Sequence, residues 1–237
     1  MPNWVVNKLT ITGKNARDII NKHFRKLEEN SKELSFDFNT LIPMPEELHI
    51  EKSSSSHNGL KLYLAMLNPK IKCLGNKEDK ISYEELLQKG SAISYNENNY
   101  LLNELEIQEL KEKYANELEE TIELGKKVFD NYQKYGFADW YDWSVANWGT
   151  KWNACNSYGC DCEENPDATI LYFDTAWSPA EPIVEELARR YPNLNVEYVY
   201  AEEQVALYTG YKYYENGELI ICEDYDSESK EAYELYF

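Results

Sequence analysis

The chain has 237 residues and a formal net charge of −19 at pH 7, from 24 Lys and Arg against 43 Asp and Glu. This balance disfavours proteins that grip nucleic-acid phosphates or dock on anionic membranes, because both functions need clustered cations. The 43% hydrophobic and 14% aromatic content is enough for a sizeable core and argues against intrinsic disorder. The N-terminus lacks a signal-peptide pattern, so we expect a cytoplasmic protein.

The first elements in chain order are predicted as a strand, a helix and a strand. Residues 4–12 are rich in β-branched side chains and stop at a glycine, which predicts a strand. Apolar residues recur at helical spacing over about 16–30, with Asn15 as the candidate N-cap. Residues 34–42 predict a second strand, which a proline ends.

The middle of the chain, 43–136, changes character and predicts a helical insertion. Ser53–Ser56 is predicted as a loop tip. Residues 103–135 carry apolar side chains near 3.6-residue spacing, with Gly125 as a candidate bend. Two further short helices are predicted, at 60–67 and 82–89.

Strand signals return in the second half. Residues 168–174 form an apolar run, and Ser178 to Glu181 reads as a capping box with Pro179 at the first helical position. After that helix, Val196, Tyr198 and Tyr200 alternate with polar residues, as in a strand. Strands at 205–214 and 218–224 flank Asn216-Gly217, which favours a type I′ hairpin turn.

This order predicts an α+β fold: a ferredoxin-like split βαβ antiparallel sheet with a helical insertion and a C-terminal β-hairpin. The predicted ferredoxin-like domain takes residues 1–42 and 137–224. The inserted helical region takes 43–136, and an acidic C-terminal tail takes 225–237. We expect the insertion to cover the second face of the sheet.

The negative charge is concentrated toward the C-terminus. Residues 1–42 carry a charge of +2, whereas 196–237 hold eleven acidic and two basic side chains. A local acidic surface is either a solvated face that keeps the protein soluble or a surface that binds a basic groove. The candidate partner-binding residues are Glu202, Glu203, Glu218, Glu223, Asp224, Asp226 and Glu228.

A second candidate site is the densest aromatic and polar constellation in the chain. Its members are Trp148, Lys151, Trp152, Asn153, Asp174, Thr175 and Trp177. Indoles and hydrogen-bonding groups of these types could line a ligand pocket. The simpler interpretation is an aromatic corner whose polar side chains satisfy loop amides.

Signals for catalysis, metals and cofactors are weak. Cys155, Cys160 and Cys162 cluster, but their C-x4-C-x-C spacing is not a zinc spacing, and no His lies nearby. Nucleotide-binding and nucleophile-elbow motifs are missing from the sequence. Carboxylate pairs such as Asp139/Asp142 arise by chance in so acidic a chain. We therefore predict no catalytic residues, no metal and no cofactor.

Several strings resemble one family. They are Met-Pro-Asn-Trp and Asn-Lys-Leu-Thr-Ile-Thr-Gly at the start, Leu-Ile-Pro-Met-Pro at 41–45, the tryptophan-rich stretch 139–154, and Phe-Asp-Thr-Ala-Trp-Ser-Pro at 173–179. Together they are similar to the YubB ferredoxin-like family of phage and plasmid proteins, over about 1–45 and 137–221. The resemblance implies the fold, a cytoplasmic location and a mobile-element origin, but no reaction.

Three functional hypotheses follow. The first is a non-enzymatic accessory protein that binds a host protein or nucleoprotein complex through its acidic surface, as an inhibitor of CRISPR-type or restriction defence. The second is a ligand-binding protein or enzyme that uses the Trp148–Trp177 region. The third is a structural protein that self-associates through edge strands at 195–224. The sequence leaves the oligomeric state open.

Overall fold

The computed structural model describes residues 3–26, 34–67, 104–160, 165–203, 209–226 and 229–230. The chain forms two compact units. Unit 1 contains residues 1–44 and 144–237, and unit 2 contains residues 45–143.

Unit 1 is built on a six-stranded antiparallel sheet of order β4-β5-β1-β6-β7-β8. Its strands are β1 (Trp4–Thr12), β4 (Cys155–Cys160), β5 (Ala168–Ala176), β6 (Asn195–Glu202), β7 (Thr209–Glu215) and β8 (Glu218–Asp224). The predicted strand over 4–12 and the strands around 168–174 and 218–224 are confirmed. The α+β fold class with an antiparallel sheet and a C-terminal hairpin is therefore confirmed.

The core of unit 1 lies on one face of this sheet. Alternate residues of β1 and β5, such as Leu9 and Phe173, are buried, as a half-buried strand requires. Helix α6 (Glu181–Arg190) packs on the same sheet with Ile183 and Leu187 fully buried. The hydrophobic alternation visible in the sequence thus fixes which face of each strand points inward.

The first helix and the second strand are shorter than predicted. Helix α1 covers only Ala16–Asn21, and a two-residue ladder between β2 (Phe24–Arg25) and β3 (Ser35–Phe36) follows it. Only Ser35–Phe36 of the predicted strand 34–42 is a strand; Phe38–Thr40 forms a 3₁₀ turn, whose start is capped by the Asp37 side chain. This segment does not join the main sheet, and β4 occupies the edge beside β5.

Unit 2 contains the described helices of the insertion. They are α2 (Ser54–Leu67), α3 (Glu104–Lys113), α4 (Leu118–Tyr135) and the first part of α5 (Trp140–Trp148), with a 3₁₀ turn at Glu46–Leu48. The serine run begins a helix rather than forming a loop tip, because Ser53 and Ser56 hydrogen-bond across its first turn. The predicted helix at 82–89 lies outside the described residues.

Gly125 has a different role from the predicted bend. Helix α4 continues through it without interruption, and the break in the predicted helix 103–135 lies between α3 and α4. A Cβ built on Gly125 would lie 2.0 Å from the Gly59 carbonyl oxygen of α2. Glycine at both positions therefore allows α2 and α4 to cross in direct backbone contact.

In unit 1, the predicted hairpin turn is present, but the predicted start of the second-half helix is not. Asn216 and Gly217 have φ values of 54° and 81°, as the predicted type I′ turn requires. The predicted capping box is wrong, because α6 begins only at Glu181, after Ala180, and no side chain caps it. Ser178 Oγ instead donates a hydrogen bond to the Gly149 carbonyl oxygen over 2.6 Å.

Candidate functional site

Of the seven residues of the aromatic constellation, several serve the fold. Trp148 is buried, its Nε1 donates to the Ile42 carbonyl oxygen over 2.9 Å, and its ring meets Phe38 edge to face. Asn153 Oδ1 accepts the Phe38 amide. These contacts hold the 3₁₀ turn against the start of the loop that follows α5, so these two side chains belong to the predicted structural corner.

Thr175 and Asp174 lie on opposite faces of β5. Thr175 is buried, and its hydroxyl donates to the Ser178 carbonyl oxygen over 2.8 Å while accepting Asn7 Nδ2 over 2.9 Å. Asp174 is half-exposed and accepts Asn156 Nδ2 over 2.8 Å. Adjacent strand residues point to opposite faces, so these two cannot line one pocket.

The three remaining members form a partly exposed cluster. The ammonium nitrogen of Lys151 lies 4.6 Å from the ring centroid of Trp152 and 4.5 Å from that of Trp177. Trp4 extends the cluster, with its ring 6.1 Å from that of Trp152. We call Trp152, Trp177 and the enclosed Lys151 ammonium the indole clamp. It is the part of the predicted constellation that the structure brings together at the surface.

Two loops position the indole clamp. Thr150 Oγ1 donates to the Ala176 carbonyl oxygen over 2.9 Å, and Ser178 Oγ donates back to Gly149. The Trp177 amide donates to the Asn3 carbonyl oxygen over 2.9 Å. The loop after α5 and the loop after β5 are therefore fixed to each other and to the start of β1.

A buried polar network lies behind these loops, and it was missed in the sequence analysis. Asn7 Nδ2 donates to Thr175 and to two backbone carbonyl oxygens, and Tyr198 donates its hydroxyl proton to Asn7 Oδ1 over 2.6 Å. Asn7 and Tyr198 are fully buried. The one available signal was that Asn7 occupies an inward position of β1, where a polar side chain needs buried partners.

The predicted acidic surface is only partly assembled. Glu202 is 2% exposed and accepts Asn3 Nδ2 over 2.8 Å, so its inclusion in an exposed face is wrong. Glu202 lies on the inner face of the sheet because it has the same position in the strand alternation as Val196, Tyr198 and Tyr200, which are buried. Glu203 and Asp226 are exposed, and Glu228 lies outside the described residues.

The remaining predicted acids lie on β8, whose seven residues are all exposed. Glu218, Glu223 and Asp224 flank an apolar centre. That centre is Leu219, Ile220 and Ile221, which are 44%, 54% and 38% exposed. In the part of the chain that the structure describes, no strand pairs with the outer side of β8. We call residues 218–224 the β8 edge.

A second buried cluster lies between α6 and the hairpin, and sequence reasoning missed it. Lys212 Nζ contacts Glu181 Oε2 at 2.5 Å, and the Lys212 side chain is buried. Tyr200 donates to Asp224 Oδ1 over 2.7 Å, and burial together with Asp224 raises the pKa of Tyr200 far above its usual range. Burial also raises the pKa of Tyr214. These phenols stay neutral near pH 7, so they cannot act as bases there.

The cysteine loop is only partly described. Cys155 is half-buried, and burial raises the pKa of its thiol, which makes it a poor nucleophile. The Cys160 side chain and Cys162 lie outside the described residues. Among the side chains that are described, no group of three His, Cys, Asp or Glu residues could hold a metal ion. None of the described helices is long and apolar enough to cross a membrane.

Comparisons with known proteins address the fold of unit 1. Residues 147–236 match the family model described as "Ferredoxin-like domain in Api92-like protein", which agrees with the predicted ferredoxin-like fold. The crystal structure of a protein api92 from Yersinia pseudotuberculosis is similar at 11% identity and a TM-score of 0.41, over 97% of this chain and 100% of that chain. No curated protein sequence matches the chain. The C-terminal part of the chain is therefore similar to the ferredoxin-like domain of Api92-like proteins.

Proposed function

We propose that the protein is a non-enzymatic binding protein that captures a polypeptide partner along the β8 edge. The observation that carries the proposal is an outermost strand whose seven side chains are all exposed and whose apolar centre lies between carboxylates. Edge strands present unpaired backbone donors and acceptors, and an added strand satisfies them. The partner would extend the sheet.

Charge selects the kind of partner. Glu218 lies at one end of the β8 edge, and Glu223 and Asp224 lie at the other. A partner strand with apolar residues at its centre and Lys or Arg near its ends would match this pattern. A second copy of the chain would not match, because antiparallel pairing about Ile221 places Glu218 opposite Asp224. Like charges directly opposite each other destabilise a strand pair.

The finer proposal concerns the biological partner. The resemblance of the tryptophan-rich strings to phage and plasmid proteins supports a host defence complex, of CRISPR or restriction type, as the target. Such complexes hold nucleic acid in basic grooves, which an acidic β8 edge would complement. A bacterium with active restriction or CRISPR defence should accept foreign DNA more efficiently when it expresses this protein. Unchanged transformation efficiency would contradict the finer proposal alone.

The binding proposal is tested by calorimetric titration with a synthetic Lys–Val peptide that has Val residues at its centre and Lys residues near both ends. We expect the peptide to bind the native protein and to lose affinity steeply with salt, because exposed charges are screened. The double variant Glu218→Lys/Glu223→Lys should weaken this binding at least tenfold.

The matched control is Glu119→Lys/Glu120→Lys on α4, where both side chains are exposed. Each double variant changes the net charge by the same amount, so general attraction to an acidic protein would affect both equally. Equal affinity of the two variants for the peptide would refute binding at the β8 edge. Leu219→Thr/Ile221→Thr, which keeps β propensity, separates the apolar contribution from the charge.

A further inference from the structure

Trp177 has a backbone conformation that its side chain does not favour. Its φ is 73°, in the left-handed region that costs an L-residue steric strain. The other non-glycine residues with positive φ in the described ranges are Asn15, Asn156 and Asn216, and asparagine tolerates this region well. A bulky residue there persists only because its surroundings fix it, and such residues concentrate at functional sites.

Burial does not offset this strain. The Trp177 side chain is 43% exposed, so much of its apolar surface stays in water. The hydrogen bonds that fix the loop include those of the Trp177 amide and of the Ser178, Thr150 and Thr175 side chains. Glycine would allow the same backbone hydrogen bonds without strain. The steric cost of a tryptophan at this position points to a role for its side chain.

The two indole rings enclose a cation, the Lys151 ammonium group. The Lys151 ammonium lies within 4.6 Å of both ring centroids, inside the distance at which an aromatic face attracts a cation. Two indoles around one ammonium are the arrangement by which aromatic cages bind alkylated ammonium groups. A primary ammonium is strongly hydrated, whereas an alkylated one gives up less water on entering such a site.

We propose that Trp152 and Trp177 form a binding site for an alkylated ammonium group, which Lys151 occupies as an internal substitute. The ligand displaces the Lys151 side chain, whose four-carbon stem is flexible, and takes its place between the rings. This site is independent of the β8 edge, since it is built from the ends of β1 and β5 and the loop after α5.

The test follows the N-methyl proton resonance of tetramethylammonium chloride during titration with the protein. Protons held over indole faces shift upfield. We expect Lys151→Ala to tighten binding about tenfold, because it removes the competing cation. Trp177→Gly should abolish binding while leaving the fold intact, since glycine adopts this φ freely. Trp152→Leu is the second loss variant, and Trp140→Phe, outside the clamp, is the control that retains binding.

Three results would overturn the proposal: no shift with Lys151→Ala, full binding by Trp177→Gly, or equally tight binding of uncharged tert-butanol. Far-UV circular dichroism of each variant confirms that the fold is retained. Choline and a trimethyl-lysine peptide then identify the source of the ammonium. Tighter binding of choline assigns a small molecule, and tighter binding of the peptide assigns a methylated protein. Both results support the site.

Discussion

His23 is buried between two hydroxyl groups that fix its protonation. Its Nδ1 lies 2.6 Å from Thr40 Oγ1, whose own proton is donated to the Asp37 carbonyl oxygen, so Nδ1 carries the hydrogen. Its Nε2 then accepts from the Tyr191 hydroxyl, 3.0 Å away. Burial, followed by the nearby Arg190, lowers the pKa of His23 to about 4. The folded protein therefore holds a neutral imidazole.

This predicts an acid-sensitive contribution to stability. The unfolded chain titrates His23 near pH 6.5, so between pH 6.5 and 4 it binds more protons than the folded state. The contribution is present above pH 6.5 and is lost as the pH falls toward 4, by up to about 3 kcal/mol. Urea unfolding at pH 7 and pH 4.5 should show a smaller pH dependence for His23→Gln than for the native protein. Identical dependence would contradict the assignment.

Tyr198 and Asn7 give a second prediction at this scale. Tyr198→Phe removes the hydroxyl and leaves Asn7 Oδ1 buried without that donor. We expect a loss of about 1–3 kcal/mol in the free energy of unfolding. Tyr213→Phe, on the less buried face of β7, should change it by less than about 0.5 kcal/mol. A similar effect of both substitutions would show that the network adds no stability.

At the scale of elements, the close crossing of α2 and α4 depends on glycine. Gly125→Ala places a methyl group against the Gly59 carbonyl oxygen and forces the helices apart. We expect thermal unfolding of unit 2 at lower temperature, even though alanine favours a helix by about 1 kcal/mol. Lys127→Ala, exposed on the same helix, is the control and should be nearly neutral. An unchanged or higher melting temperature for Gly125→Ala would contradict the close crossing.

The β8 edge makes a prediction about self-association. Glu218→Lys places a cation where antiparallel pairing with a second copy would bring it opposite Asp224, which replaces repulsion with attraction. Size-exclusion chromatography with light scattering should detect more dimer for this variant than for the native chain. A native protein that already dimerises through β8 would instead favour the third hypothesis, self-association.

An element could be predicted from the sequence when a local residue pattern determines it. Strand alternation in β1 and the Asn216-Gly217 turn are local patterns, and both were predicted. Helix α5 was missed because its own aromatic residues are spread around the helix, so its sequence shows no clear apolar period. The burial of Glu202 and the inclusion of Lys151 between two indoles depend on contacts distant in sequence, which no local pattern encodes.

At the scale of the whole molecule, the structure shows which carboxylates behind the net charge of −19 are paired, which are buried and which are exposed. Two acids of α4 are exposed and pair with neighbouring lysines, as Lys126–Asp130 and Lys127–Glu123. Glu202 is buried, and Glu181 pairs with Lys212. At the β8 edge, carboxylates flank three consecutive exposed apolar side chains, and this combination is typical of an interaction surface.

The central claim is that a partner strand adds to the β8 edge. Amide hydrogen exchange of the native protein, with and without the Lys–Val peptide, tests it most directly. Strand addition should slow the exchange of amides within 218–224 and leave α4 unchanged, because new backbone hydrogen bonds form only at that edge. Protection elsewhere, or bound peptide without protection of 218–224, would contradict the claim.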